Sequence, residues 1–96
     1  MNKYEIMFIV RPDLEETNIK AVSEEMKKVL ESQGANILEV KEMGQKELAY
    51  EIKSYKSGYY FLFVIESSDS KAEKEFDRVA LINENIIRHL IIKVTE

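Results

Sequence analysis

The sequence predicts an α+β fold: two split βαβ halves building one four-stranded antiparallel sheet, with two helices on one of its faces. Three observations carry this. Strand-like runs of branched, aromatic and alternating residues stand at 4–10, 37–52, 59–65 and 86–94. After the first run and again after the third, apolar residues recur at spacings of three and four, the period of an amphipathic helix. Right-handed crossovers then set the spatial strand order at 4-1-3-2, which leaves the third strand in the interior beside the first. Ninety-six residues fit a single domain spanning residues 1–96, enough for one core and too few for two.

The first strand, Tyr4 to Val10, puts Tyr4, Ile6, Phe8 and Val10 on one wholly apolar face and Lys3, Glu5, Met7 and Ile9 on the other. Arg11-Pro12-Asp13 ends it, because proline fixes φ and cannot donate to a ladder. Asp13 followed by Glu16 resembles a capping box. Ile19, Val22, Met26, Val29 and Leu30 then form a helical stripe that closes at Gly34. From Ala35 to Ile52 we expect one long bent strand, with Gly44 marking a bulge. Leu48, Tyr50 and Ile52 share a face there, and Leu48 and Ile52 are expected in the core. Residues 53–58 turn the chain into the third strand as a hairpin.

That third strand, Tyr59-Tyr60-Phe61-Leu62-Phe63-Val64-Ile65, is apolar on both faces. Tyr59, Phe61, Phe63 and Ile65 suit the core. Tyr60, Leu62 and Val64 look away from the helices, where nothing in the chain is left to cover them. Ser70 with Glu73 makes a second capping-box candidate, and Ala72, Phe76, Val79 and Ala80 a second helix. Leu81-Ile82-Asn83-Glu84-Asn85 connects it to a last strand, Ile86 to Val94.

Composition narrows function. Fourteen Lys and Arg against eighteen Asp and Glu give a net charge of −4, which argues against holding nucleic acid by bulk electrostatics. The charge is uneven: residues 12–34 carry six acids and three bases, while 86–95 carry Arg88 and Lys93 and no acid. Absence of cysteine excludes disulfides and thiolate metal sites and fits a reducing cytoplasm. No apolar run approaches the roughly 20 residues of a membrane span. Met1-Asn2-Lys3-Tyr4 leads straight into a strand, so no signal peptide is expected.

Chemistry is sparse. His89, the single histidine, stands in a strand with no acid partner in view and reads as a structural or contact residue. Gly34, Gly44 and Gly58 have turn or bulge roles rather than cradling phosphate, and metal-ligand spacings are missing. We expect no enzyme, no cofactor, no metal and no small-molecule substrate. The fold itself hosts many functions. One RNA-binding module of this layout stacks bases on third-strand aromatics, but Tyr60 and Val64 depart from its pattern. A partner protein suits the outer face better, with Tyr60, Leu62, Val64, Met7 and Ile9 as neighbours. The competing reading is that long side chains of adjacent strands cover part of that face.

The segment Gly44-Gln45-Lys46-Glu47-Leu48-Ala49-Tyr50-Glu51-Ile52-Lys53 resembles the signature of the bacterial small-subunit ribosomal protein S6 family: a glycine, a basic residue two later, then Leu-Ala-Tyr-x-Ile and a basic residue. The likeness spans the chain, through Tyr4-Glu5, Pro12 with Leu14, Gly34, Gly58-Tyr59-Tyr60 and Asn83-Glu84-Asn85-Ile86-Ile87-Arg88. It implies a ferredoxin-like domain in the cytoplasm, on the ribosome. It further implies binding to the central domain of the small-subunit (16S) ribosomal RNA, as a heterodimer with the small basic ribosomal protein S18, and a monomer when isolated. A basic partner would let an acidic protein sit on phosphate. On this resemblance Arg88 is the first candidate for RNA contact, with Lys3, Lys93, Lys46 and Tyr50 after it. For each lysine the simpler reading is a solubility charge. Two departures are expected to matter: neutral Ile87 beside Arg88, where some relatives have a second arginine, and the end at Glu96, without the longer tail of some relatives. The alternative is a ferredoxin-like regulatory or dimerising domain that uses its open sheet face. A small phosphatase ranks third, for want of an anion cradle.

Overall fold

The computed structural model describes residues 2–94, in the order β1 (Asn2–Val10), α1 (Glu16–Ser32), β2 (Asn36–Ile52), β3 (Tyr55–Ser67), α2 (Lys71–Ile82) and β4 (Ile86–Val94). All strand pairs are antiparallel, in the order β2-β3-β1-β4, which is the predicted 4-1-3-2 arrangement. The expected span of one domain, 1–96, includes Met1, Thr95 and Glu96, which lie outside the described residues.

The core follows from the pleat. β1 sets Tyr4, Ile6, Phe8 and Val10 toward the helices, each at most 2% exposed, and β3 sets Phe61, Phe63 and Ile65 beside them. From above, α1 supplies Ile19, Val22, Met26 and Leu30, and α2 supplies Ala72, Phe76 and Ala80. Phe8 sits at the centre. Its ring stacks on Phe61 at 5.2 Å and meets Phe63 edge-on at 5.1 Å, while Phe76 of α2 closes at 5.7 Å. These separations are those at which aromatic pairs add about 0.5–1.5 kcal/mol beyond their burial.

α1 ends as expected. Gly34 takes φ +84°, and the Gly34 and Ala35 N–H groups donate to Glu31 O and Leu30 O at 3.0 and 3.2 Å, a Schellman closure. Neither helix starts as expected. Asp13 caps nothing, because Arg11 donates to both its oxygens at 2.7 and 2.8 Å. A bidentate charged pair is stronger than one neutral amide donor. Ser70 does stand at the N-cap of α2, but with φ −93° and ψ 8° rather than extended backbone, and Asp69 Oδ1 accepts from Lys71 N–H instead. α2 also runs through Leu81 and Ile82, expected in the connection, and leaves both 68–69% exposed.

β2 is the long bent strand anticipated. Gly44 has φ +81°, and the register against β3 slips between Glu42 and Gly44. The turn is shorter than expected, because only Lys53 and Ser54 separate β2 from β3, with φ 50° and 72°. Two positive φ values suit a type I′ hairpin, whose twist matches that of its strands. The hairpin therefore outruns the sheet: β1 pairs with β3 only as far as Val10 with Tyr59, leaving residues 47–57 as an overhang. Gly58 marks the exit. A Cβ there would collide with Ile9 Cγ2 and lie 3.2 Å from Val10 O, so only glycine lets the strands approach.

Two outcomes are expected. Ser54→Gly relieves a left-handed conformation that side chains resist by roughly 1–2 kcal/mol, against some added freedom in the unfolded chain. Urea unfolding should show a net gain of about 0.5–1 kcal/mol. Separately, the Arg11 guanidinium holds the Asp13 carboxyl below the ordinary carboxylate range. That contribution is fully present above the unfolded carboxylate pKa of about 3.9 and is lost as pH falls through the lower folded value. Asp13→Asn should flatten the acid limb of a stability–pH profile below about pH 4 and leave its neutral limb level.

Candidate functional site

Alternation along the strands assigns the face opposite the helices. β1 contributes Lys3, Glu5, Met7 and Ile9, and β3 contributes Tyr60, Leu62 and Val64. On β4, Arg88 pairs with Ile9, Leu90 with Met7 and Ile92 with Glu5, so these three share the face. Leu90 and Ile92, about half exposed, extend the outer face beyond the residues that the sequence predicts for it. Carrying the alternation of β1 across to β4 would have found them.

The outer face is not uncovered. Ile9 is 4% and Val64 8% exposed, while Met7, Tyr60 and Leu62 are half-buried. The hairpin overhang bends back over one end of the face, so that Leu48, Tyr50 and Ile52 meet Met7, Ile9 and Tyr60 around a cleft of about 210 Å³. This corrects the expectation that the chain had nothing left to place there. It also moves Leu48 and Ile52 out of the core and onto this second apolar layer, half-buried. The physical reason is that a two-stranded ribbon twists strongly and is barely stable in water unless its apolar face packs on something. The bend at Gly44 and the slip between Glu47 and Ile52 direct it onto the sheet. Val64, at the other end, lies between Glu5 and Glu39.

A polar bond ties the overhang to β4, while Arg11 lies over the Tyr55 ring at 5.5 Å. Arg88 Nη1 donates to Tyr50 Oη at 2.6 Å, between residues 38 apart in sequence. Both side chains are exposed. Among the described residues no carboxylate pairs with Arg88. Lys46, two register steps from Gly44, holds its ammonium 5.9 Å from the centre of the Tyr60 ring. An exposed contact of that kind is worth about 0.5–1 kcal/mol. Glu47 and Glu51 alternate to the other side of the ribbon and do not line the cleft.

The five residues singled out for RNA therefore separate. Arg88, Lys46 and Tyr50 gather at the hairpin end of the sheet. Lys93 pairs with Tyr4, on the helix side, and Lys3 pairs with Glu66 and Val94 on the outer side. At about 3.3 Å per residue, they lie some 16 Å (Lys93) and 20 Å (Lys3) along the strands from Arg88. His89 has the acid partner that the sequence hid. Its Nε2 lies 2.7 Å from Asp77 Oδ1 of α2, and its ring lies against Phe76. No hydroxyl or thiol bonds that ring among the described residues, so the pair ties α2 to β4 and builds no triad. No cluster of metal-ligating side chains occurs among the described residues, and no helix is long and apolar enough to cross a membrane.

Two comparisons with known proteins bear on this geometry. The family described as ribosomal protein S6 matches residues 3–93. The crystal structure of 30S ribosomal protein S6 from Thermotoga maritima resembles this chain with a TM-score of 0.92 and 29% sequence identity, over 97% of this chain and 87% of that one.

The second apolar layer has a measurable weight. Although Ile9 points away from the helices, Ile9→Ala should cost about 2–4 kcal/mol in chemical denaturation, as for a core position. Leu90→Ala, on the same face but 48% exposed, should cost about 1 kcal/mol or less.

Proposed function

Since the chain belongs to the ribosomal protein S6 family and is a non-catalytic structural component of the small ribosomal subunit, we propose that it acts by binding ribosomal RNA jointly with a basic partner. The RNA is the central domain of the 16S molecule, and the partner is the small basic protein S18 that the resemblance implies. The observation that carries this reading is the division of the outer sheet face. Its hairpin end is cationic and aromatic, through Arg88, Lys46, Tyr50 and Tyr60, while the rest presents an apolar band of Met7, Leu62, Leu90 and Ile92.

Each half suits a different neighbour. Phosphate takes the cations, and Arg88 is the foremost of them because no carboxylate among the described residues competes for its remaining N–H groups. The apolar band suits a protein, since half-exposed aliphatic neighbours gain most from being buried together. Ile9 and Val64 support that surface from beneath rather than touching the partner. Lys3 and Lys93 are outlying RNA contacts, each weak on its own. A net charge of −4 explains why the protein needs help on RNA, and why it stays a monomer alone: like-charged copies repel.

Binding of the 16S central-domain RNA, titrated with and without the basic protein, tests this. Weak binding alone and much tighter binding with the partner are expected, and equal affinity in both cases would overturn the reading. Arg88→Ala should weaken assembly, lower the salt dependence by about one ion and leave the fold intact.

A further inference from the structure

The cleft under the hairpin tip combines features that a protein-docking groove does not need. Its walls are apolar, from Ile9, Met7 and Leu48, yet two tyrosines line it, and an arginine stands at its edge. Tyr50 is 62% exposed although its ring has apolar neighbours within the cleft. Its hydroxyl faces Arg88, and Lys46 lies over Tyr60. No carboxylate lines the space. An apolar cleft with tyrosines in its lining, an arginine at its edge and a lysine near one of those tyrosines suits one chemical class: a nucleotide, with the base against tyrosine and the phosphate on arginine. A basic protein segment fits worse, because Arg88 and Lys46 would repel it.

We propose that this cleft receives one unstacked nucleotide of RNA, its base laid on Tyr50 and its phosphate held by Arg88. This rests on the RNA-binding reading above and adds to it a site for a base. The third-strand aromatics take no part beyond Tyr60, so the mode differs from stacking across an open sheet. Tyr50 comes from the hairpin overhang, and the Arg88 bond to its hydroxyl sets the ring in place before RNA arrives.

The test uses the full chain with its basic partner and three labelled RNA hairpins, alike except at one position. One carries a single unpaired adenosine, one an abasic site there, and one is fully paired. Fluorescence anisotropy at fixed salt should show the unpaired adenosine bound about tenfold or more tighter than the abasic site. Tyr50→Phe, which keeps the ring and loses the hydroxyl, should retain most of that preference, whereas Tyr50→Leu should erase it. If Tyr50→Phe and Tyr50→Leu are equally defective, Tyr50 only pins the hairpin and the inference fails. It fails too if the three RNAs bind alike, which leaves phosphate contact standing. Should Tyr50→Leu instead weaken the protein heterodimer with no RNA present, the cleft belongs to the protein partner. Failure of all three RNAs to bind would overturn the RNA-binding reading itself.

Discussion

A four-stranded sheet has two faces, and this chain has helices for only one of them. β1 and β3 are apolar on both faces along their shared centre, so half of their side chains must be covered by something other than a helix. On the helix side the problem is solved by the rings around Phe8, which lock β1, β3 and α2 together. On the other side it is solved by excess length in β2 and β3, which carries Leu48 and Ile52 back over Ile9 and Met7. Gly58 is the condition for that return, because it is where the hairpin leaves the sheet against Ile9. The two apolar layers are thus linked through one glycine and one bend.

Charge follows the same division. Of the arginines, Arg11 is engaged by Asp13 and Arg78 by Glu75, each pair close in sequence, and each raises its arginine's pKa. Arg88 instead spends one donor on a neutral phenol and keeps the rest turned outward. An acidic protein therefore presents an arginine without a carboxylate at the one corner where aromatic rings are also exposed. Exposed ion pairs elsewhere on the surface add little to stability. Their effect here is to leave Arg88 as the arginine with no carboxylate partner among the described residues.

Most of the fold was legible because it rests on period. Alternation in β1 and β3 and the three-four spacing of α1 and α2 gave the elements, and Gly44 announced the bend in β2. Local polar chemistry was less legible, because near-equal partners compete for the same group. Asp13 had both a helix end and Arg11 within reach, and the charged pair won; at α2 the first turn drew on Asp69 rather than Ser70. The family signature pointed at residues 44–53 without saying which way they faced. Leu48 and Ile52 read as core because apolar residues on one strand face normally are. That they cover the far side depends on the overhang, and so on where the turn falls. Arg88 and Tyr50 are 38 residues apart, and no spacing rule joins them. Leu90 and Ile92 are hidden for a simpler reason: β4 is branched and apolar on both faces, and only the ladder to β1 tells which residues share the outer one.

The overhang should divide the native state into two cooperative units. Residues 47–57 touch the body through their own ladder, the cleft and a few exposed side-chain contacts (Arg88 with Tyr50, Arg11 over the Tyr55 ring, Gln45 with Ser57), whereas the remainder shares a continuous core. Free energies of local opening scale with what must be broken, so this ribbon opens while the body stays closed. Its amides should exchange with solvent ahead of those in β1, and a protease admitted at Lys53 should cut a chain that is otherwise still folded. Anything that fills the cleft joins the two units into one.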